Sequence, residues 1–244
     1  MSLRATGATC VRVLEQLRGD PRTLVLIGLV PPGLLALLRA ILADDRPAFQ
    51  RVAVPLVGTF PLILMFMVTS IAMLRERSSG TLERLMAMPF GKLDLLAGYA
   101  AAFGLVAAAQ AALVFAVGYG ILDVSSQAPA ALVVVLAVGN ALLGMTLGLL
   151  LSAFARSEFQ AMQFMPAFLL PQLLVCGLLV PRERMPRALD VAAYALPVSY
   201  AYDALARAQR GALDGALWRD VGVVAVCVAL ALALGALTLR RRTR

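Results

Sequence analysis

The chain contains no histidine, and only three cysteines and one tryptophan among its 244 residues. Without histidine the commonest general base and the commonest zinc ligand are both missing. Zinc metalloproteases, Ser-His dyads and His-ligated haem are therefore excluded. Cys10, Cys176 and Cys227 are widely separated and form no Cys-x-x-Cys pair, so they read as unpaired packing residues with no metal or disulfide implied. No Gly-x-Ser-x-Gly and no pair of aspartates within an apolar run is present, which leaves an intramembrane enzyme without a catalytic constellation. Gly91-Lys92 is only a fragment of a phosphate loop, because Leu93 takes the Ser/Thr position and Met86 stands where the first glycine belongs. No catalytic residue, metal or nucleotide site is expected on this chain.

Apolar residues are what the chain has in excess: 61% of the sequence, with a mean hydropathy of +0.86, against roughly 45 to 50% in soluble domains. An integral membrane protein follows. About 20 apolar residues cross a hydrocarbon core, and the runs predict six spans, over residues 23–42, 52–74, 95–122, 128–151, 161–180 and 221–239. Pro31-Pro32, Pro55, Pro61, Pro166 and Pro171 interrupt them, which favours a bundle interior over lipid at those points. Gly144-x-x-x-Gly148 allows close helix approach. Before the first span, Val11, Leu14 and Leu17 share a face among arginines, so residues 1–22 read as an interfacial helix. A cleaved signal peptide is the competing reading, but the apolar run comes late and lacks a small-x-small site.

The net charge of +8 does not form the stripe that nucleic acid needs. Its basic residues instead sort by side. Thirteen fall at the N-terminus, in the loop 75–92, at Arg156 and in the tail, and eight in the other connections, with Arg39 near their edge. The positive-inside rule places both termini in the cytoplasm.

Residues 75–92 form the main charged block between apolar runs. Leu82, Leu85 and Met86 fall at i, i+3 and i+4, which predicts a short amphipathic helix over 81–88, begun by Ser79 or Gly80 and ended by Pro89. Docking to a soluble partner and a plain solvated connection both fit this pattern. Residues 181–220, the longest polar connection, read as two broken amphipathic helices: Met185, Leu189 and Ala192 share a face, Pro197 breaks the run, and Tyr200, Tyr202 and Leu205 follow.

Two motifs carry a resemblance. Arg75-Glu76, Gly80-Thr81-Leu82-Glu83, Leu85 and Pro89 resemble the cytoplasmic loop of ABC-2 type permeases of the daunorubicin-resistance kind, the membrane subunits of ATP-driven exporters. Met185-Pro186, Leu196-Pro197 and Tyr202-Asp203-Ala204-Leu205 resemble the external segment before the last span of that family. The resemblance covers nearly the whole chain. It implies an all-α integral membrane fold of six transmembrane helices, with a cytoplasmic coupling helix and an external re-entrant helical pair. It also implies a separate ABC ATPase subunit carrying ATP and Mg, a second permease chain, identical or related, and a drug, lipid or lipid-linked glycan as substrate, in a bacterial inner membrane. Arg75, Glu76, Gly80, Thr81, Leu82, Glu83, Leu85 and Pro89 would carry the coupling contact, with Arg156 and Glu158 as a second one. The bland reading of Glu76 and Glu83 is local pairing with Arg77 and Arg84 on a solvated face.

Thr59, Phe60, Met65, Phe66, Asn140, Thr146, Gln163, Phe164 and Gln172 are the candidates for lining a path, since amide, Met and aromatic groups suit amphipathic molecules, and helix packing is the alternative role for each. Three other functions remain open at this stage: a self-contained secondary transporter, a channel, or a non-transporting accessory subunit. Every charged residue can be placed at a span end, with Arg39 and Asp123 to be checked, which argues against proton coupling across the membrane.

Overall fold

Among the described residues, four helix starts carry side-chain caps. Asp20 accepts from the Thr23 N–H at 3.2 Å and Asp45 from the Ala48 N–H at 3.0 Å, each with a proline in the first turn. Ser157 accepts from the Gln160 N–H at 3.2 Å, and Asp214 from those of Ala216 and Leu217 at 3.1 Å. The computed structural model describes residues 3–81 and 92–238, and among these there are nine α-helices and no strand. They are α1 (Leu3–Arg18), α2 (Pro21–Ile41), α3 (Arg46–Ser78), α4 (Lys92–Gly120), α5 (Ala130–Leu151), α6 (Glu158–Val175), α7 (Arg187–Ala193), α8 (Pro197–Gln209) and α9 (Gly215–Thr238).

Five of these are long and apolar enough to cross a membrane: α2, α3, α4 from Ala97, α5, and α9 as far as Gly235. The sixth expected span is not among them. Expected over 161–180, it is a helix of 18 residues over 158–175, about 27 Å long. Glu158, two prolines, Gln163 and Gln172 lower its apolarity, and the chain turns at Gly177 with φ +106°, where a Cβ would sit 3.1 Å from the Tyr202 ring. Other boundaries shift for local reasons. The expected polar link over 44–51 is largely the first turns of α3, because Asp45 caps it, and α9 starts at Gly215 rather than 221 because Asp214 caps it.

The prolines leave the helices continuous. Pro31 supplies no N–H to the Ile27 carbonyl, and the buried Gln110 amide of α4 donates to that carbonyl at 3.2 Å. A polar group inside an apolar helix thus satisfies an acceptor freed on its neighbour.

The core is the seam between α3 and α5. A Cβ at Gly144 would collide with the Leu62 carbonyl, and one at Gly148 with the Phe66 carbonyl and the Thr69 hydroxyl. Thr69 locks the approach by donating to the Met65 carbonyl at 2.6 Å, with the Met145 carbonyl across the seam 3.1 Å away. The Gly-x-x-x-Gly spacing is therefore a packing device. α2 and α9 lie outside this seam and leave Leu29, Leu37, Val226, Leu230 and Leu234 exposed, as lipid-facing surfaces require. α1 packs on α4, where a Cβ at Gly98 would clash with Thr9.

Candidate functional site

α3 is 33 residues long, about 50 Å, and overshoots a hydrocarbon core roughly 30 Å thick. Arg75, Glu76, Arg77 and Ser78, expected in the loop 75–92, are its last turn. Nothing in that tetrapeptide breaks a helix, and the break comes at Gly80, with φ +72°. The Ser79 N–H bonds the Arg75 carbonyl at 2.9 Å, the Ser79 and Thr81 hydroxyls are 2.9 Å apart, and Thr81 is helical again. Leu82, Glu83, Leu85 and Pro89 lie outside the described residues.

Of the three charges ending α3, Glu76 and Arg75 behave differently. Glu76 is buried, and its Oε1 accepts from Arg12 Nη1 of α1 at 2.8 Å and from Gln16 Nε2 at 3.1 Å. Arg12 Nη2 donates to the Tyr99 hydroxyl of α4 at 2.7 Å. The partner of Glu76 is thus Arg12, 64 positions away, where local pairing with Arg77 was the bland expectation. Arg75 is exposed and forms a bidentate pair with Glu158 of α6, at 2.9 and 3.1 Å. That guanidinium holds the Glu158 carboxyl below its ordinary range. Arg156 is exposed and takes part through its backbone N–H, which donates to Gln160. The structure therefore brings Arg75, Glu76, Gly80, Thr81 and Glu158 to one end of the bundle. Sequence reasoning missed Tyr99 and Gln16. Tyr99 was detectable as the lone phenol in an Ala/Gly-rich stretch near the start of α4.

A cavity of about 620 Å³ opens beside this cluster, walled by α1, α2, α3 and α4, with Met162 of α6 at its rim. None of the nine residues proposed for a path lines it. Met65, Phe66, Asn140 and Thr146 are buried between helices, Phe66 stacks on Phe168, and the Thr59 and Thr146 hydroxyls bond carbonyls of their own helices. Gln172 is likewise buried, donating to the Phe168 carbonyl. Phe60 is half-buried, Phe164 packs with Leu74, Ala155 and Ala161, and Gln163 is exposed.

At the other end, α7 and α8 fold back before α9. On α8, Val198, Ala201, Ala204, Leu205 and Ala208 are buried at helical spacing against α3 and α5. Asn140 of α5 donates to the Ala201 carbonyl at 3.1 Å, and Leu205 lies against Gly58. The face expected on α7 is not the buried one: Leu189 and Ala192 are exposed and Ala193 is buried. Arg182 clamps the segment, reaching Asp190 at 3.1 Å and Asp203 at 2.8 Å while standing over the Tyr194 ring. Burial holds the Asp203 carboxyl above its ordinary range, and Arg182 opposes the shift. Asp220, fully buried in α9, takes Arg207 at 3.0 Å and Arg219 at 2.9 Å. Met185 is half-buried, and Pro186 and Pro197 stand at the starts of α7 and α8. Asp123 pairs with Arg46, and Arg39 stands over the Phe49 ring.

A bundle of membrane-crossing helices, one overshooting into a charged turn at one end and a folded-back helical pair at the other, is the frame of a multi-pass permease. Residues 5–209 match the ABC-2 type transporter family, and the chain belongs to it. Over 148 residues it is 29% identical to the probable multidrug ABC transporter permease YbhR of Escherichia coli, from strain K12 and from O157:H7 alike, an overlap of 61% of this chain and 40% of that protein. Over 138 residues it is 27% identical to ABC transporter G family member 20 of Dictyostelium discoideum, covering 57% of this chain and 19% of that one. The chain thus spans less than half the length of these relatives.

Proposed function

We propose that this chain is the transmembrane permease subunit of an ABC exporter in a bacterial inner membrane, with both termini cytoplasmic. ATP and Mg bind a separate ATPase subunit that docks on residues 75–92, a second permease chain completes the path, and an amphipathic substrate moves outward. The name of the E. coli relative favours drugs among the substrate classes.

The observation that carries this reading is the end of α3. The helix runs unbroken from Arg46 to Ser78, and its last turn is tied through Glu76 to α1 and through Arg75 to α6. A push on the turn after it is therefore delivered to three elements together. Helices packed to interior density move as discrete bodies rather than bending locally.

The test is reconstitution. The C-terminally tagged protein, purified gently with its partners, should carry a vanadate-sensitive ATPase and support ATP-driven dye uptake into inverted vesicles. Glu83→Arg should abolish uptake while leaving insertion intact. Full uptake by correctly inserted Glu83→Arg protein removes the docking role, and gradient-driven uptake by a preparation without ATPase replaces the reading with a self-contained transporter.

A further inference from the structure

At the folded-back end of the bundle a further cavity, of about 670 Å³, is walled by the end of α2, the first turns of α3, the turn over residues 177–183 and α8. Leu38, Leu42, Leu178 and Leu179 form its apolar side, and Leu179 is 67% exposed, so the cavity opens onto the lipid-facing surface. Its polar side is basic. Arg51 and Arg210 both line it, and among the described residues neither side chain has a hydrogen bond or an ion pair. Arg182 lines it too but is already held by Asp190 and Asp203, which leaves two unpaired arginines against the exposed Glu183. A cross-tie fixes the two arginines at one place: the Gln209 side-chain amide donates to the Gln50 carbonyl, and each of these glutamines is followed by one of the arginines. The Gln127 N–H fastens the same end of α8 by donating to the Gln209 carbonyl at 3.1 Å. The chain then leaves through Gly211 with φ +70°, where a Cβ would stand 2.8 Å from the Gln127 side chain. Like charges held beside one cavity without a counter-ion repel, and an anion between them removes that cost.

We propose that this cavity holds the headgroup of an anionic phospholipid, with its phosphate on Arg51 and Arg210 and its glycerol along Leu38, Leu42 and Leu178. The planar guanidinium fork matches phosphate oxygens, and basic pockets between membrane helices lodge such headgroups. The depth is right for one. Leu38 lies in the last turn of a membrane-crossing helix and Leu42 is its C-cap, so the cavity sits where hydrocarbon gives way to headgroups. The acyl chains leave past Leu179 into the bilayer. A free anion would satisfy the arginines but has no use for the leucines beside them. The lipid is a resident wedge between α2 and the folded-back segment, and its binding does not depend on the permease reading.

The test uses the full chain in neutral detergent, read by native mass spectrometry as lipid is titrated in. Dioleoylphosphatidylglycerol is the anionic probe, and dioleoylphosphatidylcholine has the same chains and phosphate but no net charge. One phosphatidylglycerol should bind about tenfold more tightly than phosphatidylcholine, the effect of two arginines near a membrane surface. Arg51→Gln with Arg210→Gln should bring that ratio to about one. Arg187→Gln, which removes an exposed arginine outside the cavity, should leave the ratio unchanged. Ala206→Phe, which fills the cavity and leaves both guanidinium groups, should weaken both lipids. A preference that survives the double substitution, or that Arg187→Gln lowers equally, overturns the site, and so does lipid binding indifferent to Ala206→Phe. Displacement of the lipid by inorganic phosphate or glycerophosphoglycerol at matching concentration would make this a plain anion site and overturn the lipid. Should the double variant fail to fold, Ala206→Phe and the lipid preference still decide. No ATP-driven uptake is read, so failure here leaves the permease reading intact, and failure of uptake leaves the lipid site intact.

Discussion

The two ends of the bundle hold their charges in different ways. At the end where α3 turns, the pairs join residues far apart in sequence, Arg12 with Glu76 across 64 positions and Arg75 with Glu158 across 83. At the opposite end the part-buried pairs stay within one segment, Arg182 reaching Asp203 across 21 positions and Arg207 reaching Asp220 across 13, and the pair that crosses to distant sequence, Arg46 with Asp123, is exposed. The first kind binds separate helices into one moving set. The second folds a segment onto itself and seats it as a plug. Under the proposed exporter function, force would enter at the first end, and the second would keep its own shape while the helices beneath it shift.

Removing one arginine from each end should expose this difference, and the largest loss is expected from Arg12→Met. It leaves Glu76 buried at 8% side-chain exposure with no cation, and breaking a buried pair from one side costs about 3 to 5 kcal/mol. Arg182→Met should cost less. Asp203 is more exposed, at 21%, and its carboxyl already titrates above the ordinary range, so it accepts a proton readily once its cation is gone. Thermal unfolding of the two variants in one detergent checks the order. An equal or greater loss for Arg182→Met would show that the folded-back segment, and not the α1–α3–α4 junction, is where stability is concentrated.

A smaller effect is expected where the plug meets the core. Asn140→Leu removes the hydrogen bond to the Ala201 carbonyl, worth about 1 kcal/mol. Amide exchange should then rise in α8 and stay unchanged in α1. A rise in both would mean that the two ends are coupled through α5, and that the folded-back pair is no separate unit.

Much of the frame was legible in the sequence. Composition announces a membrane protein, and five of the six expected spans overlap helices long and apolar enough to cross a membrane. Gly144 and Gly148 were readable as close-packing residues, and both face backbone. What stayed hidden depended on partners distant in sequence. No local pattern says that Glu76 meets Arg12 and Tyr99, because helix periodicity predicts pairs three or four apart and this cluster joins three helices. The path candidates were chosen as polar or aromatic residues in apolar runs, a pattern that interhelical packing produces equally well; Thr69 and Gln110 show such groups bonding backbone. The helix over 158–175 escaped as a full span because its end is set by Gly177 in the left-handed region, and a glycine in an apolar run does not announce its φ.

The smallest change in stability should accompany a large change in function, and Arg75→Gln is where the two separate. The Arg75–Glu158 pair is exposed on both sides, at 58% and 45%, so solvent screens it and its loss should cost under about 1 kcal/mol. Its bidentate geometry still fixes the register between the end of α3 and the start of α6. Unfolding of Arg75→Gln should therefore match the parent within about 1 kcal/mol, while ATP-driven uptake falls markedly at undiminished membrane insertion. Lysine at this position keeps the charge but loses the fork, and an intermediate rate for Arg75→Lys would place the effect in geometry rather than in charge. Uptake at the parent rate in Arg75→Gln would confine force transfer to the Glu76 junction and leave α6 outside the moving set.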